Sequence, residues 1–388
     1  MVKLALERRR TPRKIVIVSD TVYPWFKGGK EVRIHEITKR MARMGYDVHI
    51  YTMKWWQGPN DITKDGVRLH SISKHVEVYK ETGRRSMLAS LFFALSCLRL
   101  MTVSFDVIDV DHMPYMHLFT VWLVCLIRRK HMVATWHEVW PKKYWDEYVG
   151  RMGLLAYIVE YLAVYLPRTI IAASSHTKER LSQRHPSKQD RFMATCCGVD
   201  LAEIASIQPS PRRYDCMYAG RLIRHKNIDL LIKAVRQLKV TTHPDIRCII
   251  VGGGPDEARL QSYVRHHGLE DAITFTGFLA DRKEVYALMK SAKSFVLPSG
   301  REGFGMVVVE ANACGTPVLT YNVPDNGACR LIQEGVNGYL FKTPQELAYK
   351  LEICLGHEPE NAPQQYTQAA QPYDWNQIVD SVLDAYAI

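Results

Sequence analysis

Short apolar runs recur along this chain, and longer helix-patterned stretches separate them. In the first half the runs are Lys14 to Ser19 (KIVIVS), Asp47 to Thr52, Val107 to Val110, Met132 to Thr135 and Thr169 to Ala173. Runs of that length read as buried strands. Between the first two, Gly28-Gly29 forms a loop and a helix is predicted from about Glu31 to Met44, ended by Gly45. The second half repeats the scheme. Asp215 to Ala219, Ile246 to Val251, Ile273 to Phe275, Ser294 to Leu297 and Pro317 to Thr320 predict strands. Asn227 to Leu238 predicts a helix that Asn227 caps. Such alternation predicts an α/β protein with parallel sheets covered by helices on both faces.

At 388 residues the chain has room for two domains. Pro209-Ser210-Pro211 interrupts both patterns and puts the boundary near 205–213. The expected division is an N-terminal domain over 1–205, a C-terminal domain over 206–372, and an amphipathic helix over 373–388.

Three stretches of the first half are apolar almost throughout. Ser86 to Leu98 follows Arg84-Arg85, Leu118 to Ile127 precedes Arg128-Arg129-Lys130, and Leu154 to Leu166 contains one charge, Glu160. Each is shorter than the roughly 20 residues that span a bilayer. They read either as buried helices or, for the first, as a helix lying on a membrane surface. On the second reading Arg84, Arg85, Arg128, Arg129 and Lys130 face the membrane.

Charge sharpens this. Residues 1–205 hold 32 Lys and Arg against 20 Asp and Glu, a net +12, whereas 206–388 hold 19 against 20, a net −1. A one-sided positive field attracts anionic partners: nucleic acid, acidic glycan or membrane. No nucleic-acid motif or basic–aromatic alternation is present, so nucleic acid is set aside. The nine cysteines include no C-x-x-C pair, and the basic start lacks the apolar core of a signal peptide. The expectation is reduced thiols, no zinc site, and a cytoplasmic protein, peripheral on the inner face of the cell membrane.

Two loops carry the candidate chemistry. Residues 299–317 read SGREGFGMVVVEANACGTP, with Glu302 in a glycine-rich loop and Glu310 eight residues on in an apolar helical run. A strand, a glycine loop and a helix in succession expose backbone N–H groups at the positive end of a helix, which suits a phosphate. Glu310, two turns in, can reach a neutral part of the same ligand, such as ribose hydroxyls. The second loop, Ala219-Gly220-Arg221-Leu222-Ile223-Arg224-His225-Lys226-Asn227, places Arg221 and Lys226 where a strand enters a helix. Two cations there suit a diphosphate. Gly28-Gly29 offers a further close-approach point, and the three loops together suggest a ligand held between two domains at the carboxyl ends of their strands. His137, just past a strand end in Thr135-Trp136-His137-Glu138, is the leading histidine, and His112 is second.

Glu302 to Glu310, with Gly303-Phe304-Gly305 and Ala311, Gly315, Thr316 and Pro317, resembles the E-x7-E signature of glycosyltransferase family 4: retaining nucleotide-sugar transferases of the GT-B fold, two Rossmann-like doubly wound domains facing a central cleft. The Arg221–Lys226 loop is similar to that family's diphosphate loop, and Gly28-Gly29 to its N-domain glycine loop. Residues 251–255 (VGGGP) and 276–279 (TGFL) are similar to its later strand-end motifs, and Asp374-Trp375 to the start of its closing helix, which crosses back to the N-terminal domain. The chain departs from the family at Cys197-Gly198-Val199-Asp200 and at Asn326-Gly327-Ala328-Cys329-Arg330.

The resemblance implies roles. Arg221 and Lys226 neutralise the leaving diphosphate. Glu310 holds the ribose. Glu302, with the amides of Phe304, Gly305 and Met306, holds donor sugar and phosphates, the base rests against Gly277, Phe278 and Leu279, and His137 contacts the sugar. The expected reaction is retaining transfer from a UDP- or GDP-sugar to a hydroxyl of a lipid-linked or cell-surface glycan precursor, as in polysaccharide biosynthesis. No Asp-x-Asp cluster stands in either phosphate loop, so neither metal nor other cofactor is expected. An anionic membrane surface is the expected partner besides donor and acceptor. The alternatives are a GT-B epimerase or phosphorylase, and a non-enzymatic basic module that binds membrane or nucleic acid. On the sequence, Lys226 is an exposed loop lysine whose replacement by alanine spares the fold.

Overall fold

A computed structural model describes residues 13–78, 85–356 and 362–387. The chain divides into two compact units: residues 1–196 with 376–388, and residues 197–375. Arg84 and Ile388 lie outside the described residues, as do 1–12, 79–83 and 357–361.

The first unit holds an eight-stranded sheet: β1 (Lys14–Val18), β2 (Asp47–Met53), β3 (Asp61–Lys64), β4 (Val67–Ser73), β5 (Val107–Asp111), β6 (Met132–Trp136), β7 (Thr169–Ala172) and β8 (Phe192–Ala194). Its spatial order is β3-β4-β2-β1-β5-β6-β7-β8. All neighbours are parallel except the β3–β4 hairpin. That hairpin was not among the expected strands because β3 has no fully buried residue. Its turn, Asp65-Gly66 with φ of 51° and 80°, is a hairpin signal independent of apolar runs. The helices are α1 (Gly29–Arg43), α2 (Met87–Ser96), α3 (Met116–Ile127), α4 (Lys142–Val149), α5 (Gly153–Ala163) and α6 (Ser175–Arg184).

The second unit carries α7 (Leu201–Ser206), β9 (Cys216–Ala219), α8 (Ile228–Thr241), β10 (Cys248–Val251), α9 (Glu257–His266), β11 (Ile273–Gly277), α10 (Arg282–Ser291), β12 (Phe295–Leu297), α11 (Met306–Ala313), β13 (Val318–Tyr321), β14 (Gly338–Phe341), α12 (Pro344–Leu355) and α13 (Ala362–Ala370). Its parallel sheet has the order β11-β10-β9-β12-β13-β14. The last helix, α14 (Trp375–Ala385), begins at the unit boundary, and its body belongs to the first unit. There Ile378, Val379, Val382 and Leu383 are buried, and the Tyr386 hydroxyl donates to Asp109 Oδ2 at 2.7 Å.

Two expectations need correction. The division falls at Cys196/Cys197, ahead of 205–213. The Pro209–Pro211 stretch is tied into the second unit, since Ser210 N donates to Ala287 O at 2.9 Å and Lys290 Nζ to Ile207 O at 2.8 Å. Asn227 occupies the N-cap position of α8, but in a left-handed conformation (φ 49°) and without a side-chain bond into the helix.

Candidate functional site

In the second unit the chain runs outward from β9 through β10 to β11, then returns to set β12 on the other side of β9. Ligands of open α/β sheets bind at such a reversal, beyond the carboxyl ends of the strands. The loop after β9 carries Arg221 and Lys226, and the loop after β12 carries Glu302. They meet here: Gly300 N donates to His225 O at 2.7 Å, and the Lys226 ammonium pairs with the Glu302 carboxylate. Burial alone raises the Glu302 pKa, but Lys226 outweighs it and holds the group below its usual 4.5. Glu302 is therefore a carboxylate at neutral pH.

The loop after β10 is laid against the loop after β9. Gly220 N donates to Val251 O and Leu222 N to Gly253 O, both at 3.0 Å. A Cβ on Gly252 would stand 1.9 Å from the Gly220 carbonyl oxygen, and one on Gly254 2.4 Å from that of Leu222. The glycines of 252–254 thus permit two backbones to touch and fix where Arg221 emerges, exposed, at the end of β9.

Gly305, with φ 92°, turns the chain into α11. A Cβ there would meet that of Ala328 at 2.6 Å. The first amides of α11 have no preceding helical carbonyl, so Gly305, Met306 and Val307 present donors at the positive end of the helix. Glu310 lies buried one turn inside, where its carboxylate meets Arg282 and the Tyr286 hydroxyl at 3.4 Å, both from α10. Neither Arg282 nor Tyr286 was among the sequence candidates, and no motif marks them. Gly277 (φ 69°) ends β11, and Phe278 and Leu279 follow it at the same edge, Phe278 largely exposed.

The first unit has its own reversal, between β1 and β5. Asp20 follows β1, Asp111 ends β5, and Lys30 stands in the first turn of α1, which Gly28 caps through its backbone. Lys30 Nζ is 3.0 Å from Asp20 Oδ1 and also pairs with Asp111, while Arg85 pairs with Asp20. Burial opposes these charges, but the mutual pairing prevails: Lys30 is pushed up, Asp20 down, and Asp111 well down. His137, after β6, has its Nε2 3.3 Å from Asp111 Oδ1. His112 is buried against Trp136, and burial drops its pKa to about 4. Ligand atoms of Asp111, His112 and His137 all lie within 4.8 Å of one another, a spacing that admits a metal ion, although Lys30 already compensates the carboxylate.

Two family models tile the chain. One described as Glycosyltransferase Family 4 matches residues 27–203, and one described as Glycosyl transferases group 1 matches residues 202–372. The chain belongs to the family 4-type glycosyltransferases. It is 26% identical over 262 residues to the glycogen synthase of Mycobacterium tuberculosis, covering 66% of this chain and 62% of that one. Less than two thirds of that relative's length is thus matched. Among solved structures, the sucrose-phosphate synthase of Thermosynechococcus elongatus superposes with a TM-score of 0.76 at 19% identity, over 97% of this chain and 98% of that one. Anabaena HepE in complex with UDP-glucose superposes with a TM-score of 0.73 at 19% identity, over 97% and 99%. At these identities the likeness establishes the fold, which is GT-B.

Within this glycosyltransferase the predicted residues separate clearly. Arg221, Lys226, Gly277 to Leu279, Glu302 to Met306 and Glu310 all belong to the second unit, and Gly28, Gly29 and His137 to the first. The sequence reading missed Asp20, Lys30 and Asp111. A lysine directly after Gly28-Gly29 and aspartates at two strand ends were the available signal. Lys226 is not an exposed loop lysine: its side chain is 15% exposed and paired, so its removal leaves the Glu302 charge uncompensated. Two of the basic residues assigned to a membrane also change, while Arg84 lies outside the described residues. Arg85 turns inward to Asp20. Arg128 donates to the carbonyls of Leu100 and Val103, closing the turn that follows α2, and lies over the Phe105 ring. Arg129 and Lys130 are exposed. The departure at 326–330 borders Glu302 directly. Glu302 N donates to Asp325 O at 3.1 Å and Gly327 N to Glu302 O at 2.9 Å, so this turn supports the loop.

Proposed function

We propose that this glycosyltransferase transfers a sugar, with retention and without a metal ion, from a UDP- or GDP-sugar to a hydroxyl of a lipid-linked or cell-surface glycan precursor. The observation that carries the reading is the Lys226–Glu302 pair beside the free amides of α11, at the strand reversal of the second unit. That arrangement suits a diphosphate. HepE was solved with UDP-glucose, which supports a nucleotide-diphosphate sugar of the same kind here.

In the proposed step the bond between sugar C1 and the diphosphate oxygen breaks, and the acceptor oxygen bonds to C1 on the same face. The acceptor proton passes to the departing phosphate oxygen, and the nucleoside diphosphate leaves. Negative charge grows on the diphosphate as the bond stretches, so Arg221, Lys226 and the α11 amides bind the transition state more tightly than the ground state. Glu302, held ionised, is a poor proton donor, which speaks against a glycosidase-like acid pair. Its role is to orient the sugar and Lys226. Glu310, steadied by Arg282 and Tyr286, takes the ribose hydroxyls, and His137 keeps the sugar contact that the family resemblance implies.

The test is transfer from UDP- and GDP-sugars to a lipid-linked acceptor, with the anomeric configuration read by NMR and with excess chelator in one arm. Undiminished, retaining transfer is expected. Loss of transfer in chelator overturns the metal-free mechanism and directs attention to Asp111, His112 and His137, whereas an inverted product overturns same-face attack.

A further inference from the structure

In the first unit α2 joins β4 to β5, α3 joins β5 to β6, and α4 with α5 joins β6 to β7. These crossovers all run in one direction along the sheet, so right-handedness puts the helices on the same face. There α3 packs against both α2 and α5. The inward sides fill the core with Phe93, Leu118 and Val121. The outward sides are apolar as well. Leu88 is 80% exposed, and Leu95, Leu126, Ile127, Leu154 and Leu155 are each at least half exposed. A helix that is apolar all round belongs in a core or against lipid, and these three meet a core on one side only. Apolar residues contiguous over three helices mark an interaction surface, unlike scattered single ones.

Charge selects the occupant. The three helices carry one carboxylate, Glu160, which is buried with Arg184 at 3.4 Å. Arg129, Lys130, Arg151 and Arg168, all exposed, stand near their ends, and Arg99, also exposed, donates to the Ile72 carbonyl. The nearby Asp146 and Glu147 of α4 are matched by Lys142 and Lys143. A second copy of this chain seated on the same face would set these cations against their own kind. A bilayer with anionic headgroups instead complements both the apolar centre and the basic rim. Among the described residues no helix is long and apolar enough to cross a membrane.

We propose that the outer face of α2, α3 and α5 docks this chain onto an anionic lipid bilayer, with its leucines in the headgroup layer and its terminal arginines and lysines on the lipid phosphates. This differs from the arginine-led surface expected around residues 84 and 85, because Arg85 serves the Asp20 cluster instead. It needs no donor and stands apart from the transfer chemistry.

Co-sedimentation of the full chain with vesicles tests it, using phosphatidylglycerol–phosphatidylcholine mixtures against phosphatidylcholine alone. Salt-sensitive binding to the anionic vesicles is expected. Arg129→Asn with Lys130→Gln, asparagine being tolerated at the left-handed position 129, should weaken it roughly fivefold per charge. Leu88→Glu with Leu126→Glu should abolish it while the thermal shift given by UDP remains. Leu88→Glu alone, at a position too exposed to threaten the fold, should weaken binding severalfold and guards against unfolding of the double variant. Equal binding to neutral vesicles, binding unaffected by the leucine substitutions, or self-association through this face without vesicle binding would each overturn the proposal. A missing UDP shift alongside intact vesicle binding would instead count against the donor reading alone.

Discussion

Lys226 and Glu302 are 76 residues apart in sequence and form one ion pair in the fold. Their coupling sets the expected result of mutating either. Lys226→Met should lower kcat by about 100-fold or more, the usual scale for removing a stabiliser of developing negative charge. It should also lower stability by roughly 3 kcal/mol, because a largely buried carboxylate loses its partner. Adding Glu302→Gln should restore much of the stability but none of the turnover. Denaturant unfolding and single-turnover kinetics on the three variants separate the two effects. A second residue-scale expectation concerns acid. Burial lowers His112 and His117 to about 4, so both are neutral when folded and gain protons more readily when unfolded. Their contribution is whole above pH 6.5 and disappears as pH falls toward 4, on the order of 3 kcal/mol each. The apparent Tm should decline across that window. His117→Gln, which still has a donor for the Asp111 carbonyl, should flatten the decline.

At the scale of elements, the start of α11 matters more than its body. Gly305→Ala should strain a left-handed residue and push against Ala328, shifting the amides proposed to bind the diphosphate. Calorimetry should show UDP affinity falling about tenfold or more, with Tm reduced by a few degrees, as for a strain of about 1–2 kcal/mol. An unchanged affinity would mean that these amides do not bind the ligand. Elements were also where the sequence was most legible. The buried strands announced themselves as apolar runs because parallel strands covered on both faces need no alternation. The β3–β4 hairpin, β8 and β14 escaped because each is short or only partly buried. The three apolar helices were visible as such, but which of their sides met the core was not, since nearly every position is hydrophobic.

At the scale of the whole molecule, the chain passes from first unit to second at 196/197 and returns at 375/376. Ending the chain after Trp375 should uncover Asp109, Ile17 and their neighbours and remove the buried side chains of α14 from the first unit. A calorimetric scan should then show the first unit's transition lowered or lost and the second unit's preserved. Tyr386→Phe is the milder probe. It removes one of the bonds to buried Asp109, at a cost of about 1–3 kcal/mol.

The sequence alone determined the α/β class, the two-fold repetition of strand–helix units and the presence of a basic loop and a glycine-rich acidic loop, because periodicity, glycine turns and clustered charge are local properties. Only the tertiary structure decided what those groups face. Lys226 proved to be a partner of Glu302, Arg85 an inward counter-ion for Asp20, and Glu310 a neighbour of Arg282 and Tyr286. Each of these pairings joins residues from different strand ends or helices. Strand order, which brings β9 beside β12 and β1 beside β5, is set by the packing of the whole sheet and not by any one stretch of chain.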